Sequence, residues 1–179
     1  MLWNAPLFFE GYIPTADKHS GIPIMPKKIF IVILALSCVL TYSAEIIGKV
    51  VGVSDGDTIT ILDDMDKGRF KIRLYGIDAP EKKQDFGQKS KQHLSTLIFN
   101  KTIKVRFKEI DRYGRIVGKI FLDDIEINLE MLKAGLAWHY YRYDQTPSYI
   151  TIEKQARKSG IGLWSMKNPI PPWQFRRKK

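Results

Sequence analysis

Cysteine is almost missing from this chain. Cys38 is the only one in 179 residues, so no disulfide forms within it, and a mature chain beginning near residue 45 has no thiol at all. Histidine is nearly as scarce: His93 and His139 have no partner at metal-ligand spacing and read as structural or exposed, and His19 falls in an N-terminal stretch without periodicity. No apolar run approaches the ~20 residues of a bilayer span; the run Ile29 to Leu40 has 12. Internal repeats and low-complexity linkers are absent too, which leaves one globular domain with extensions as the reading of a chain 44% hydrophobic and 27% charged. Acids are in deficit, 19 against 29 Lys and Arg, and the formal charge of +10 points to an anionic partner, either nucleic acid or an acidic membrane surface.

The N-terminal third has its own logic. Met25-Pro26-Lys27-Lys28, the apolar run to Leu40 and Thr41-Tyr42-Ser43-Ala44 are the basic, apolar and small-residue parts of a secretory signal. Residues 25–44 are therefore expected to be a signal peptide cleaved after Ser43 or Ala44, with an uncleaved anchor or a buried helix as the alternative. Residues 1–24 read as an extension ahead of Met25, the expected true start. The stretch Leu34 to Cys38 partly matches a lipoprotein box that would lipidate Cys38, although Leu36 directly before Ser37 fits it badly. The mature product is expected outside the cytoplasm, secreted or periplasmic, and at a membrane only if the run stays uncleaved or Cys38 is lipidated. Residues 1–44 hold three Lys/Arg and two Asp/Glu, so their loss lowers the charge of +10 by only one. The basic character belongs to the folded part.

From Glu45 the pattern becomes that of strands. Ile46 to Val53, Thr58 to Leu62 and Phe70 to Tyr75 are rich in β-branched and aromatic residues and are separated by Asp/Gly clusters, which predicts a three-stranded meander. Asp85 to Phe99 lacks alternation, and Phe86, Ser90, Leu94, Leu97 and Ile98 form a helical stripe broken by Asn100-Lys101. Thr102 to Lys108 and Ile116 to Leu122 are strands again, joined through Tyr113-Gly114-Arg115. Asn128 is a good N-cap for a helix Leu129 to Ala134 with Gly135 as C-cap, and Ser148 to Ser159 is a last helix. Pro169 to Lys179 reads as a basic C-terminal tail, which bounds the folded domain at 45–168. Five strands with a helix between the third and fourth is the order of an OB-fold, so the expected class is α+β: a five-stranded OB-fold β-barrel with about three helices. An open α+β sheet is the alternative.

The stretch Arg73-Leu74-Tyr75-Gly76-Ile77-Asp78-Ala79-Pro80-Glu81 is a poor design for a plain core strand. One cation leaving a strand and two acids on the following loop suit a place where a metal ion meets a phosphate, because acids hold the metal and a guanidinium holds phosphate oxygens. Asp55-Gly56-Asp57-Thr58 upstream and Asp111-Arg112-Tyr113-Gly114-Arg115 downstream are its candidate partners. Asp55-Gly56-Asp57 alone is an ordinary hairpin turn. The acids of the Asp78 loop make Asp57 a candidate ligand, while Asp55 stays a turn residue.

With Gly135-Leu136-Ala137 and Gly162-Leu163-Trp164-Ser165 added, these motifs in this order and spacing resemble the staphylococcal nuclease (thermonuclease) family of calcium-dependent nucleases over about Ile46 to Ser165. The resemblance implies that Asp57, Asp78 and the backbone carbonyl of Ala79 bind Ca2+, that Glu81 positions or deprotonates the attacking water, and that Arg73 and Arg115 grip the scissile phosphate. It also implies that Tyr113, Tyr141 and Tyr143 line the nucleotide pocket; Tyr141 and Tyr143 share one face if that segment is extended, and core or edge packing is the other use of each. The loop Lys82-Lys83-Gln84-Asp85 is a shorter, basic link than in the prototype, which bears on loop dynamics and substrate preference. The expected activity is that of an exported calcium-dependent endonuclease acting on DNA and RNA as a monomer and leaving 3′-phosphate ends. Its rivals are an inactive module of the same fold that only binds nucleic acid, and a membrane-tethered structural protein.

Overall fold

The computed structural model describes residues 45–63, 65 and 67–178; the expected signal peptide, Cys38 and the expected extension 1–24 lie outside the described residues. Its elements are β1 (Glu45–Asp55), β2 (Thr58–Asp63), β3 (Arg69–Leu74), β4 (Ile77–Asp78), α1 (Gly87–Ile98), β5 (Thr102–Ile110), β6 (Ile116–Leu122), β7 (Ile125–Glu126), α2 (Ile127–Lys133), β8 (Trp138–His139), α3 (Pro147–Lys158) and α4 (Pro172–Phe175), with 3-10 turns at Gly162–Ser165 and Arg176–Lys178. Among the described residues no helix is long and apolar enough to cross a membrane.

The expected five-stranded barrel is present and closed. β1 pairs antiparallel with β2 on one side and β5 on the other, and its ladder with β2 shifts register between Val50 and Gly52 and again between Val53 and Asp55. Such bulges bend and twist a strand, which lets one long strand serve both halves of a barrel. Closure comes from a parallel pairing of β3 with β6, Ile72 against Ile116, Arg73 against Val117 and Leu74 against Gly118. The inward positions are aliphatic, among them Val50, Ile59, Ile61, Ile72, Val105 and Ile120, all at 0% exposure.

α1 closes one end of the barrel with Gly87, Ser90, Leu94 and Ile98, a stripe at the three- and four-residue spacing of one helical face. It stops where expected: Phe99 is extended and Asn100 takes a positive φ of 63°. α2 differs from expectation. It starts two residues earlier, and Asn128 is inside it rather than at its N-cap. The Asn128 amide is used elsewhere: its oxygen accepts from the Ile120 N–H at 3.0 Å and its nitrogen donates to the Tyr75 carbonyl at 2.8 Å. Fully buried, it satisfies two backbone groups that the barrel ladder leaves over, where unpaired groups would each cost about 1–3 kcal/mol.

The two glycine motifs near the end of the chain explain each other. Gly135 and Gly162 have φ of +60° and +58°, and a Cβ on either would lie 2.3 Å from a carbonyl oxygen of the opposite segment. The Leu163 N–H donates to the Gly135 carbonyl at 2.8 Å across this contact. Within the expected basic C-terminal tail, residues 169–179, Pro172 is buried and Trp173 stacks on Tyr140.

Candidate active site

Strand pairing gathers the chemistry-bearing residues from distant segments. Thr58 pairs with Arg73 across β2 and β3, which sets the Asp55–Asp57 turn beside Arg73. The parallel β3–β6 pairing of Arg73 with Val117 brings Arg115, two residues earlier on the chain, to the same end. β4 pairs with β8, Asp78 against Trp138, and so draws the tyrosine segment that follows β8 to the same rim. The result is a cleft of about 660 Å³ lined by Asp55, Asp57, Arg73, Tyr75, Ala79, Glu81, Asp111, Tyr113, Arg115, Tyr140, Tyr143 and Arg176, with Leu74, Gly76, Ile77 and Pro80 among its other walls.

The turn is built from its own acids. Asp55 accepts from the Asp57 N–H at 3.2 Å, an Asx turn that fits the turn role expected of it. Asp57, 3% exposed, accepts from the Thr58 hydroxyl at 3.0 Å through Oδ1 and from the Ala79 N–H at 2.6 Å through Oδ2, tying the turn to the Asp78 loop. Arg73 bridges the two acids: one nitrogen pairs with Asp57 Oδ1 and the other donates to Asp78 Oδ1 at 2.7 Å. Burial lowers the pKa of the Arg73 guanidinium, and the charge of Asp78 and its hydrogen bond pull the other way.

Asp78 is fully buried and is not part of the cleft lining. Its oxygens face two arginines. Arg176 Nη2 donates to Oδ2 at 2.7 Å and Nη1 to Oδ1 at 3.2 Å, while the same Nη1 donates to Glu81 Oε1 at 2.8 Å. Burial works against the Arg176 charge, but the hydrogen bonds and charges of Asp78 and Glu81 outweigh it and raise the pKa. Sequence reasoning passed over Arg176, although Ile170, Trp173 and Phe175 around it are apolar residues that a free tail has no reason to carry.

Arg115 is held separately. Its Nε donates to Asp111 Oδ2 at 2.7 Å and its backbone N–H to Asp111 Oδ1 at 3.0 Å. Partial burial raises the Asp111 pKa, but the hydrogen bonds from Arg115 and from the Tyr113 N–H overcome this and hold it below the usual carboxylate value. Gly114 supplies the bend with φ +75° and nothing within 4 Å of where a Cβ would be, so only its backbone conformation calls for glycine.

Of the three expected pocket tyrosines, Tyr113 and Tyr143 line the cleft and Tyr141 does not. Tyr141 is 67% exposed. The expectation that Tyr141 and Tyr143 share a face assumed an extended segment, but residues 141–143 form a turn in which the Tyr143 N–H donates to the Tyr140 carbonyl at 2.9 Å. Tyr140 takes the lining position instead, its ring 4.8 Å from that of Tyr143. The Tyr75 hydroxyl donates to the Tyr143 carbonyl and pins the turn. His139 is a structural residue, 4% exposed and 3.5 Å from Asp144.

Among the described residues no three His, Cys, Asp or Glu side chains gather into a metal-binding group. A cation here would have fewer side-chain ligands than that, and the donor chemistry fits only a hard ion: Asp57 and Asp78 are near enough for one guanidinium to reach both, and backbone carbonyls and water would have to supply the remaining oxygens.

The family described as staphylococcal nuclease homologue matches residues 71–166. A Haemophilus influenzae protein named "uncharacterized endonuclease" is 47% identical over 131 residues, covering 73% of this chain and 73% of that one. An Escherichia coli protein of the same name is 43% identical over 137 residues, covering 76% of this chain and 88% of its own length. A rice protein named "probable staphylococcal-like nuclease" is 44% identical over 111 residues, 62% of this chain and 34% of that protein.

Proposed function

Because the chain belongs to the staphylococcal nuclease family, we propose that it is a calcium-dependent endonuclease that hydrolyses phosphodiester bonds in DNA and RNA and leaves 3′-phosphate ends. The observation that carries this reading is the meeting of Arg73, Glu81 and Arg115 in one cleft with a tyrosine wall, on a chain of formal charge +10. Arg73 comes from β3 and Arg115 from the turn just before β6, so they approach from two different segments, an arrangement suited to a phosphate held between two planar forks. Tyr113, 68% exposed at the rim, offers a face for a nucleobase.

In the reaction, Glu81 takes a proton from water as its oxygen bonds to phosphorus. The P–O5′ bond then breaks, the departing oxygen takes a proton from solvent to leave as a 5′-hydroxyl while Glu81 returns its proton to solvent, and the phosphate stays on the 3′ side. Arg73 and Arg115 donate to the phosphate oxygens, where negative charge grows in the five-coordinate transition state. Asp57, Asp78 and the Ala79 carbonyl would hold Ca2+, which when bound supplies positive charge beside the phosphate and orders water. Activity is expected to be lost in chelator and restored by calcium, with magnesium a poor substitute because it demands a tighter octahedral shell. Equal turnover in chelator overturns the metal assignment.

The basic, apolar and small-residue sequence of residues 25–44 supports export of the enzyme. Mass spectrometry of the exported protein is expected to find an N-terminus near residue 44 or 45, and intact residues 1–40 on it overturn this.

A further inference from the structure

The C-terminal segment lies across the carboxylates rather than trailing into solvent. It is fixed at several points. The Ile170 carbonyl accepts from the Gln84 side chain of the loop after Glu81. Trp173 stacks on Tyr140 with ring centroids 5.1 Å apart and planes 4° from parallel, and meets Trp138 edge-on at 5.6 Å. Behind these anchors a 3-10 turn presents Arg176, whose fork covers both oxygens of Asp78 and one of Glu81. Asp78 has no exposure of its own, and Arg176, which lines the cleft, pairs with both of its oxygens.

Charge argues that this contact is exclusive with a bound ion. Asp57, Asp78 and Glu81 against Arg73 and Arg176 leave one net negative charge. A divalent ion added on top would leave one net positive charge in a largely buried cluster, whereas the same ion exchanged for Arg176 leaves the cluster neutral. We propose that residues 170–178 form a strap whose Arg176, while also pairing with Glu81, competes with the divalent cation for Asp78, so that cation binding and release of the strap are one coupled step. This rests on the reading of Asp57 and Asp78 as calcium ligands. A strap docked about nine-tenths of the time weakens apparent calcium affinity about tenfold, because only the open fraction binds.

Two measurements on the full-length protein test it. Calcium titration by calorimetry is expected to give about tenfold tighter binding in Arg176→Gln than in the native chain. Arg177→Gln, which removes the same charge from the neighbouring exposed residue, is expected to change affinity less than about twofold, since exposed charges are screened. Hydrogen exchange on the native chain, which needs no variant, is expected to show loss of amide protection at residues 173–178 when calcium is added. Equal calcium affinity in the native and Arg176→Gln chains, or a tail whose protection ignores calcium, overturns the strap and leaves the metal site standing. No calcium binding in any of the three chains overturns the metal reading and the strap with it.

Discussion

Glu81→Gln is expected to lower kcat by about 10²-fold or more while leaving the fold intact. Glu81 lines the cleft with 34% of its side chain exposed, and its carboxylate meets Arg176 rather than any part of the barrel core. Glutamine keeps the size and one acceptor oxygen, so the Arg176 contact at 2.8 Å survives in neutral form. What disappears is the ability to accept a proton from water. The loss should appear in single-turnover cleavage at saturating calcium, with the urea unfolding midpoint and nucleic-acid affinity close to those of the native chain. An inactive binding module of the same fold predicts no change in any of these quantities. An unchanged single-turnover rate in the folded variant removes Glu81 from the chemistry.

Local pattern made the barrel strands and the Arg73–Glu81 stretch legible. Alternation marks β1, β2, β3 and β5, β-branched and aromatic content marks β6, whose Ile116, Val117 and Gly118 are buried in succession, and an arginine with two acids inside nine residues stands out against any structural use. Non-local contacts were less legible. The parallel β3–β6 closure, which carries Arg115 to Arg73, leaves no trace in the alternation of either strand. Asn128 has the local signature of an N-cap, but two backbone groups from β6 and the Tyr75 turn claim its amide. Tyr140 was missed and Tyr141 chosen because a turn at 141–143 reverses the faces that an extended segment would have. The strap was missed for a related reason: a helix of four residues opened by prolines is too short to show a period, and its stability comes from Trp173 packing on rings far away in sequence.

Substitution of the two arginines is expected to separate chemistry from architecture. Both are assigned to the phosphate, yet they are held differently. Arg115 pairs with Asp111 at the rim, with side chains 27% and 19% exposed, and lies over the Tyr113 ring. Arg115→Ala should therefore lower kcat by about 10²-fold or more, as loss of a donor to the developing charge does, with little change in the unfolding midpoint. Arg73 bridges Asp57 and Asp78, whose side chains are 5% and 0% exposed. Arg73→Ala removes the proposed phosphate donor, leaves Asp57 without its arginine and leaves Asp78 with Arg176 alone, and breaking a buried pair from one side costs about 3–5 kcal/mol. Its activity and its urea midpoint should fall together. Arg73→Lys is expected to recover part of the stability and little of the rate, because a single ammonium cannot span two carboxylates and a phosphate as a planar fork does. Non-specific DNA affinity should change little in all three variants and should fall with salt, since it rests on the basic surface as a whole. Unfolding curves, single-turnover cleavage and a salt-titrated binding assay on the same preparations decide between the roles. A cleavage rate in Arg115→Ala equal to the native one would mean that the cleft around Asp57 and Glu81 is not where the phosphodiester is cut.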